Sequence, residues 1–336
     1  MNDYSDTAMI LYYILTILER KSDDEETRYL SQSEIADELT RTYGVTPDRK
    51  TIKKQLEKLR EICIENDSIG YKIDFKPERG GGYRLASRPF DTSEIKLLTD
   101  MIQVTHSISE EKSEKLIRKL LNFTSEKQAS EIYKQSRMII CPKTDDEEIY
   151  ATINAVKNAI SQKRRIKFKY FHWNKYKQLT QKKGRTAYIG DPFALIYDSG
   201  DYYMLSYSDE TENHTKTYRV DKMANVEIMD EPVIEQELPE DFLSSYKKRT
   251  FKMYSGYDEK VILSCPEEKV GILLDRFGKQ IVISKENDGR VVTAIIVTVS
   301  RQFFGWIFGT GIKIEGPKKV VEDYVTYMKN QLEEYS

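Results

Sequence analysis

The segment from residue 191 to residue 223 constrains the fold of this 336-residue chain more than any other part of its sequence. β-Branched and aromatic residues recur along it, and Asp198-Ser199-Gly200-Asp201 is typical of a tight turn between two strands. We therefore predict a hairpin in which Phe193 to Tyr197 pairs with Tyr202 to Tyr207. Strands so rich in tyrosine are typical of a small sheet or barrel.

The same segment resembles the WYL-domain family of bacterial transcriptional regulators, whose name records a Trp-Tyr-Leu triplet after a glycine-containing turn. The matching positions are the triplet itself, Tyr202-Tyr203-Met204, the upstream Pro192 and Leu195, and the downstream Lys216, Tyr218, Arg219, Asp221, Lys222 and Met223. The triplet lacks its Trp and its Leu, and two family arginines are lysines here. Lysine keeps the positive charge but loses the planar, bidentate fork of arginine.

Composition allows two or three domains, because the chain is 39% hydrophobic and 32% charged and is long enough to bury more than one core. It has no apolar run of membrane-spanning length and no signal-peptide pattern at its start, so we expect a cytoplasmic protein without a membrane partner. The three cysteines, Cys63, Cys141 and Cys265, are far apart in sequence, and no two of them have the close spacing of a Cys-x-x-Cys motif. This speaks against a disulfide framework and against a structural zinc site. We expect no metal and no cofactor.

A helix-turn-helix is predicted near the start of the chain. Ser31 and Glu34 form a capping-box pattern at the first helix, which runs to about Thr40. A turn at Gly44 leads to Thr46-Pro47, a typical start for the second helix, which we extend to about Arg60. Two short helices joined by such a turn are typical of DNA-binding domains.

The second of these helices is strongly basic. Residues 48 to 60 contain six basic and two acidic residues, while Ile52, Leu56 and Leu59 have the spacing of a buried stripe. The remaining face would contact phosphates and base edges in double-stranded DNA. The alternative is an ordinary helical pair with a solvated basic face. The predicted DNA-binding residues are Arg49, Lys50, Thr51, Lys53, Lys54, Lys58 and, in the loop described next, Arg79.

Two strands, Gly70 to Phe75 and Gly80 to Leu85, are predicted to flank a loop that carries Lys76 and Arg79. The Gly-Gly-Gly-Tyr-Arg-Leu ending resembles the wing of the winged-helix domains found at the head of WYL regulators. Residues 1–88 are therefore predicted to be a winged helix-turn-helix domain. Residues 89–141 are predicted to be a helical linker with helices near 93–107 and 110–135, buried through Ile95, Leu98, Ile102 and through Leu116, Leu120, Phe123. We expect a two-fold symmetric homodimer whose contacts come from residues 93–135 and from the C-terminal domain.

Residues 142–232 are predicted to be the WYL ligand-sensing domain. Residues 149–190 contain no acidic residue, and lysines and arginines alternate there with aromatic residues, a composition that favours an anionic ligand with flat bases. The alternative is that Ile166, Phe168 and Tyr170 point into a barrel core while the lysines are merely solvated. The candidate residues for a nucleotide or single-stranded nucleic-acid ligand are Tyr170, His172, Arg185, Tyr202, Tyr203, Lys216, Tyr218 and Arg219.

Residues 233–257 are predicted to be a linker, and residues 258–336 show a βαββαβ pattern followed by a helix, which is a ferredoxin-like arrangement. The run Phe304-Gly-Trp306-Ile-Phe-Gly309-Thr-Gly311 resembles the C-terminal extension that follows many WYL domains. The predicted fold class is thus α+β multidomain, with a winged helix-turn-helix, a helical linker, a small Sm/SH3-like β-barrel and a ferredoxin-like domain.

No catalytic motif is present: the three histidines are isolated in sequence, and there is no nucleophile elbow and no Walker loop. We expect a protein that is not an enzyme and has no catalytic residue. The resemblance implies a ligand-responsive, sequence-specific transcriptional regulator. Two alternatives stay open, a nucleic-acid-binding accessory factor of phage defence or DNA repair that does not act at promoters, and a metal-free hydrolase.

Overall fold

The computed structural model describes residues 3–23, 28–65, 70–78, 81–139, 141–144, 148–181, 186–209, 215–285 and 289–335. The chain divides into two compact units, Met1–Asp146 and Glu147–Ser336. None of the helices in the described ranges combines the length and the apolar character that crossing a bilayer requires.

The first unit begins with three helices and a two-stranded antiparallel sheet. Its elements are α1 (Asp3–Lys21), α2 (Gln32–Tyr43), α3 (Arg49–Glu65), β1 (Lys72–Phe75) and β2 (Tyr83–Ser87). The predicted capping box is confirmed, since the Ser31 hydroxyl accepts from the Glu34 amide and the Glu34 carboxylate accepts from the Ser31 amide. Gly44 ends α2 in the left-handed conformation, at φ 69°, which glycine adopts without steric cost.

The start of α3 differs from the prediction. The helix begins at Arg49 rather than at Pro47, because the carboxylate of Asp48 accepts hydrogen bonds from the backbone N–H groups of Lys50 and Thr51, at 2.8 and 2.9 Å. A carboxylate in this position satisfies amides that have no partner within the helix and favours the positive end of its dipole. Thr46 and Pro47 therefore lie in the connection that precedes the helix.

The second half of the first unit contains three helices where two were predicted: α4 (Thr92–Gln103), α5 (Glu110–Leu121) and α6 (Glu126–Ser136). The predicted helix 110–135 is broken because Ser125 caps α6 and forms a reciprocal capping box with Gln128. The predicted stripe on α5 is also shifted, since Phe123 is 41% exposed. Ile117 and Leu121 instead pack with Ile95 and Ile132 in the buried core of these helices.

The second unit opens with α7 and a curled antiparallel sheet. Its elements are α7 (Ile149–Gln162), β3 (Arg164–Trp173), β4 (Leu179–Gln181), β5 (Tyr188–Asp198), β6 (Asp201–Tyr207), β7 (Thr215–Arg219) and β8 (Met223–Pro232). The strand order is β4-β3-β5-β6-β7, and β8 also pairs with β3. A short 3-10 turn, Val220–Lys222, connects β7 to β8. The predicted hairpin of β5 and β6 is confirmed, with Asp198 opposite Asp201 at the turn.

The segment predicted to be a linker contains a helix, α8 (Phe242–Arg249), which the sequence did not reveal. Phe242 and Tyr246 are buried and pack with Tyr203 and Leu205 of β6. The second face of the sheet is therefore covered by a helix, because Tyr203 and Leu205 point away from the barrel core and need an apolar partner.

The end of the chain follows the predicted βαββαβ order. Its elements are β9 (Tyr257–Pro266), α9 (Val270–Phe277), β10 (Ile283–Lys285), β11 (Arg290–Val299), α10 (Arg301–Thr310), β12 (Lys313–Gly316) and α11 (Lys318–Glu333). The strand order is β10-β11-β9-β12, with antiparallel neighbours throughout. Val261, Leu263 and Cys265 alternate into the core, against Leu273 of α9 and Phe303 of α10.

Candidate nucleic-acid interface and ligand surface

Helix α3 is anchored through one apolar face. Ile52, Leu56 and Leu59 are buried against α1 and α2, as their spacing predicted. Burial of three such side chains stabilises the helix by several kcal/mol, at about 1.5–3 kcal/mol for each. The orientation of α3 is therefore set by its core, and the opposite face is left to solvent.

The exposed face of α3 carries the predicted lysines. Lys50, Lys53, Lys54 and Lys58 are all exposed, and Lys53 lies 3.8 Å from Glu57 one turn later. Such a contact between exposed charges is weak, so it leaves the ammonium group available to a phosphate. The structure brings these four cations together on one surface, which we call the α3 basic face.

The two other predicted residues of α3 already have partners. The Thr51 hydroxyl donates to the Asp48 carboxylate at 2.9 Å, and Arg49 Nε donates to Gln32 Oε1 at 3.3 Å. The hydrogen bond from the Thr51 backbone N–H is the main cause that lowers the pKa of Asp48. Thr51 thus belongs to the helix cap, whereas Arg49 stays at the exposed start of the helix. Arg79 lies outside the described residues.

The connection between β1 and β2 packs tightly against the segment before α2. A Cβ atom on Gly82 would lie 2.2 Å from the Leu30 carbonyl oxygen, and one on Gly81 would lie 2.1 Å from the Lys76 carbonyl oxygen. Glycine is required at both positions because the backbones approach closely. The Lys76 ammonium lies 5.7 Å from the centre of the Tyr29 ring. Gly81 and Gly82 therefore let the described part of this connection lie against the segment before α2.

In the second unit, β3 alternates between core and solvent. Ile166 and Phe168 are buried, and Lys167 and Lys169 are exposed, so the alternative raised from the sequence describes these residues correctly. Tyr170 also packs on this core, and its hydroxyl accepts a hydrogen bond from the Arg219 backbone N–H at 3.2 Å. Burial raises the pKa of Tyr170. As a core residue, Tyr170 does not offer its ring to a ligand in this conformation.

Arg219 is held by two carboxylates. Its guanidinium group contacts Asp221 at 2.8 and 3.0 Å and Asp201 at 3.0 Å. These hydrogen bonds, with that to Asp221 foremost, raise the pKa of Arg219. A phosphate would have to displace a carboxylate to reach this fork. The predicted ligand residue Arg219 therefore acts in this structure as a link between β6 and β7.

The two tyrosines of the triplet position face opposite sides of β6, as predicted. Tyr202 packs toward the barrel core with Met204, whereas Tyr203 is 7% exposed beneath α8. Burial raises the pKa of Tyr203 to about 12. Neither ring is placed on an open surface, so neither provides a stacking platform.

Lys216 and Tyr218 are brought together, because residues two apart on β7 share a face of the sheet. Both line a cavity of about 220 Å³, together with Arg165 and Asp191. Arg165 Nε lies 2.9 Å from Asp191 Oδ1, so the two charges largely compensate each other. The sequence did not single out this pair; the only signal was that Asp191 is the first acidic residue after the acid-free stretch. Arg185 lies outside the described residues.

The connection from β3 to β4 presents aromatic rings to solvent. Trp173 is 61% and Tyr176 68% exposed, and His172 beside them is also exposed, with Nε2 3.4 Å from the Thr180 hydroxyl. The Lys175 ammonium lies 5.1 Å from the centre of the Tyr176 ring. We call Trp173, Lys175, Tyr176 and Lys177 with His172 the β3–β4 hairpin surface. Within the described part of the chain, no three His, Cys, Asp or Glu side chains are grouped to hold a metal ion.

Comparison with known proteins identifies a known domain family in part of the second unit. The sequence model of the protein family described as WYL domain matches residues 151–228 of this chain. These residues extend from α7 into β8. No curated protein matches the chain. Among solved structures, the proteasome accessory factor B/C (PafBC) of Arthrobacter aurescens is similar, with 15% sequence identity and a TM-score of 0.29. That alignment covers 98% of this chain and 48% of the other, so the chain spans about half the length of that protein.

Proposed function

The chain carries a WYL domain at residues 151–228, and from this premise we propose that it is a ligand-responsive, sequence-specific DNA-binding regulator of transcription. The observation that carries the proposal is the α3 basic face, in which Lys50, Lys53, Lys54 and Lys58 lie opposite a buried apolar stripe. Neutralised phosphates supply most of the affinity of such a surface, and residues at the start of the helix read base edges.

The architecture of the parts supports this proposal. For residues 1–88 we propose a winged helix-turn-helix domain, and the order of three helices followed by a two-stranded sheet supports it. We propose that the strands β8, β3, β5, β6 and β7 form a small Sm/SH3-like barrel, which their pairing and the 3-10 turn before β8 support. We propose a ferredoxin-like C-terminal domain, which the order β10-β11-β9-β12 with helices between strands supports. In this proposal the first of these domains binds DNA, the barrel senses the ligand, and the C-terminal domain completes the regulator.

For the ligand, the geometry favours a short single-stranded nucleic acid over a free nucleotide. The cavity beside Lys216 and Tyr218 has about 220 Å³, below the roughly 300–1,000 Å³ that ligand pockets usually have. The β3–β4 hairpin surface, in contrast, offers two open rings with lysines beside them. Aromatic rings of this kind can stack on the bases of a single strand, while the neighbouring lysines contact its phosphate backbone. A ligand bound there would change the affinity for DNA only if it binds more tightly to one of two conformations of the protein. The coupling free energy between two such sites is typically about 1–3 kcal/mol.

The regulator is proposed to be a homodimer that pairs through the helices of residues 89–141. Leu97, Met101 and Val104 form one stripe of α4 and its end, and they are 61%, 52% and 48% exposed. A stripe of this kind is unusual on a monomer and suits a self-complementary, two-fold interface. Two α3 helices would then read two half-sites spaced by about one helical turn.

The experiment that tests this function is mapping of genomic binding sites followed by footprinting. The regulator predicts one or a few protected sites with two-fold symmetry, whose occupancy changes when a single-stranded oligonucleotide is added. Uniform protection of any duplex would replace the regulator with an accessory factor of defence or repair. Cleavage of the labelled nucleic acid during incubation would show an enzyme instead.

A further inference from the structure

A second cavity lies in the first unit, outside the residues 151–228 that match the WYL domain. It has about 590 Å³, within the range of roughly 300–1,000 Å³ that small-molecule sites occupy, and it is lined by residues of α4, α5, α6 and the segment after α6. Its floor contains Ser113 of α5 and Ser136 of α6. Nothing in the proposed DNA-binding or ligand-sensing role uses this cavity.

The floor of this cavity contains an unsatisfied polar group. Ser113 is 2% exposed, and its hydroxyl has no hydrogen-bond partner among the described residues. The neighbouring Ser136 hydroxyl, in contrast, donates to Thr99 at 3.3 Å. A buried hydroxyl without a partner destabilises the fold, so a polar group of a molecule bound in the cavity would offset that cost by accepting its hydrogen bond.

The charges around the cavity are balanced. Three carboxylates, Glu110, Glu111 and Glu114, and three cations, Arg118, Arg137 and Lys143, line it. An anion such as a nucleotide would need a surplus of cations here, and a polyamine would need a surplus of carboxylates. Equal numbers of both signs suit a ligand that itself carries one charge of each sign.

Four of these six charged side chains already have hydrogen-bond or ion-pair partners, which leaves Glu110 and Arg137. Glu114 is bound to Arg118 and to the Tyr133 hydroxyl, and Glu111 is bound to Lys115. The Lys143 ammonium donates to the carbonyl oxygens of Ile102 and Thr105 at 2.7 and 3.0 Å. Within the described ranges, the side chains of Glu110 and Arg137 make no ion pair within 4.0 Å. The Glu110 carboxylate acts on the Lys143 ammonium only through its charge, and Arg137 lies over the Tyr133 ring, at 5.8 Å.

We propose that this cavity binds a small zwitterion of the amino-acid type. Arg137 receives the carboxylate, Glu110 receives the ammonium group, and the Ser113 hydroxyl forms a hydrogen bond in the floor. Charge-assisted hydrogen bonds of this kind are the strong ones, and the bidentate fork of arginine matches a carboxylate. The cavity thus gives the helical segment a ligand of its own, distinct from any nucleic acid bound by the WYL domain.

Cys141 provides a local probe for the test. It lines the cavity and is partly exposed, with Sγ 3.2 Å from His106 Nδ1, whereas Cys63 and Cys265 are buried. Alkylation of the full-length protein with iodoacetamide, read by mass spectrometry, should therefore report on Cys141 first. A bound amino acid should slow this alkylation.

The experiment is a titration of the full-length protein with each proteinogenic amino acid, up to about 10 mM. Binding is measured by calorimetry and, independently, by the slower alkylation of Cys141. We expect saturable binding of one or a few amino acids. The amine and the carboxylic acid that each carry only one of the two charges should bind at least about tenfold more weakly. Binding of a simple carboxylate as tight as that of the amino acid would overturn the proposal, as would saturation by none.

Three variants localise the site. Arg137→Gln, Glu110→Gln and Ser113→Ala should each weaken binding by about tenfold or more. Lys119→Gln, an exposed change on α5, which also carries Glu110 and Ser113, should not. Ser113→Ala should leave the melting temperature of the ligand-free protein unchanged or raise it, because it removes an unsatisfied hydroxyl. Binding unaffected by all three changes would place the amino acid elsewhere and overturn the proposal.

Discussion

Arg219 and Asp221 are joined by two hydrogen bonds, from Nε to Oδ1 at 3.0 Å and from a terminal guanidinium nitrogen to Oδ2 at 2.8 Å. The same guanidinium group reaches Asp201 at the start of β6. Because a planar fork fits carboxylates bidentately, this arrangement fixes the end of β7 against the turn of the β5–β6 hairpin.

Arg219→Ala should therefore lower the free energy of unfolding, by about 1–3 kcal/mol, since it leaves two largely buried carboxylates without their cation. The free energy of unfolding of Arg219→Lys should lie between that of Arg219→Ala and that of the parent, because lysine restores the positive charge without the planar guanidinium fork. Urea unfolding of the full-length protein measures both. Lys169→Ala, on an exposed residue of β3, is the control and should stay within about 0.5 kcal/mol of the parent. An Arg219→Ala protein as stable as the parent would contradict the clamp.

A second prediction concerns alkaline stability. Burial beneath α8 raises the pKa of Tyr203 to about 12, whereas a free tyrosine has a pKa of about 10. Below about pH 10 both the folded and the unfolded chain keep this proton, so the full stability is present. Between about pH 10 and 12 the unfolded chain loses the proton first, and the folded state loses stability as pH rises.

Tyr203→Phe should remove this contribution, so that the loss of stability between about pH 9 and 11 shrinks by about 1 kcal/mol relative to the parent. The measurement is urea unfolding at the two pH values. The same change at Tyr176, whose ring is exposed, should not alter the loss. Equal losses in Tyr203→Phe and in the parent would show that Tyr203 is not held in an apolar site.

Local signals in the sequence predicted the order of the elements well. The capping box at Ser31, the alternation of buried Ile166 and Phe168 with exposed lysines, and the βαββαβ pattern after residue 258 each depend on residues close in sequence. The break between α5 and α6 was missed because apolar residues continue across it, and the cap of Ser125 competes with that pattern. Helix α8 was missed because Glu, Pro and Lys surround a short apolar core.

The site was harder to predict, because its contacts join distant residues. Lys216 and Tyr218 were named from the resemblance to WYL domains, and only the register of β7 against β6 shows that both lie on one face of the sheet. The engagement of Arg219 by Asp201 spans 18 residues and depends on the register of β6 against β7. Cys141 and His106 lie 35 residues apart and meet only when α4 and the segment after α6 are in place. No local pattern carries such information.

A third prediction tests the β3–β4 hairpin surface. Trp173→Ala and Tyr176→Ala should each weaken binding of a short single-stranded oligonucleotide by about 1–3 kcal/mol, because each removes a stacking platform. Fluorescence anisotropy with the full-length protein gives the affinities. Tyr254→Ala removes an exposed ring elsewhere in the same unit and should leave binding unchanged. If both hairpin variants bound as tightly as the parent, the ligand surface would lie elsewhere or be absent.

The central claim is that the α3 basic face binds double-stranded DNA. Its lysines and Arg49 make separable contributions. Lys53 and Lys54 are exposed and should contact phosphates, so their loss should weaken binding to every duplex alike. Arg49, at the start of the helix, should instead read a base, and Arg49→Ala should relax specificity at one base pair by about 1–3 kcal/mol.

The most direct measurement is the salt dependence of duplex binding by the full-length protein, compared with Lys53→Ala, Lys54→Ala and the control Lys119→Ala on α5. The account predicts that each α3 change lowers the affinity and reduces the slope of log affinity against log salt by about one unit, with Lys119→Ala equal to the parent. Affinity and slope left unchanged by both α3 substitutions would contradict it.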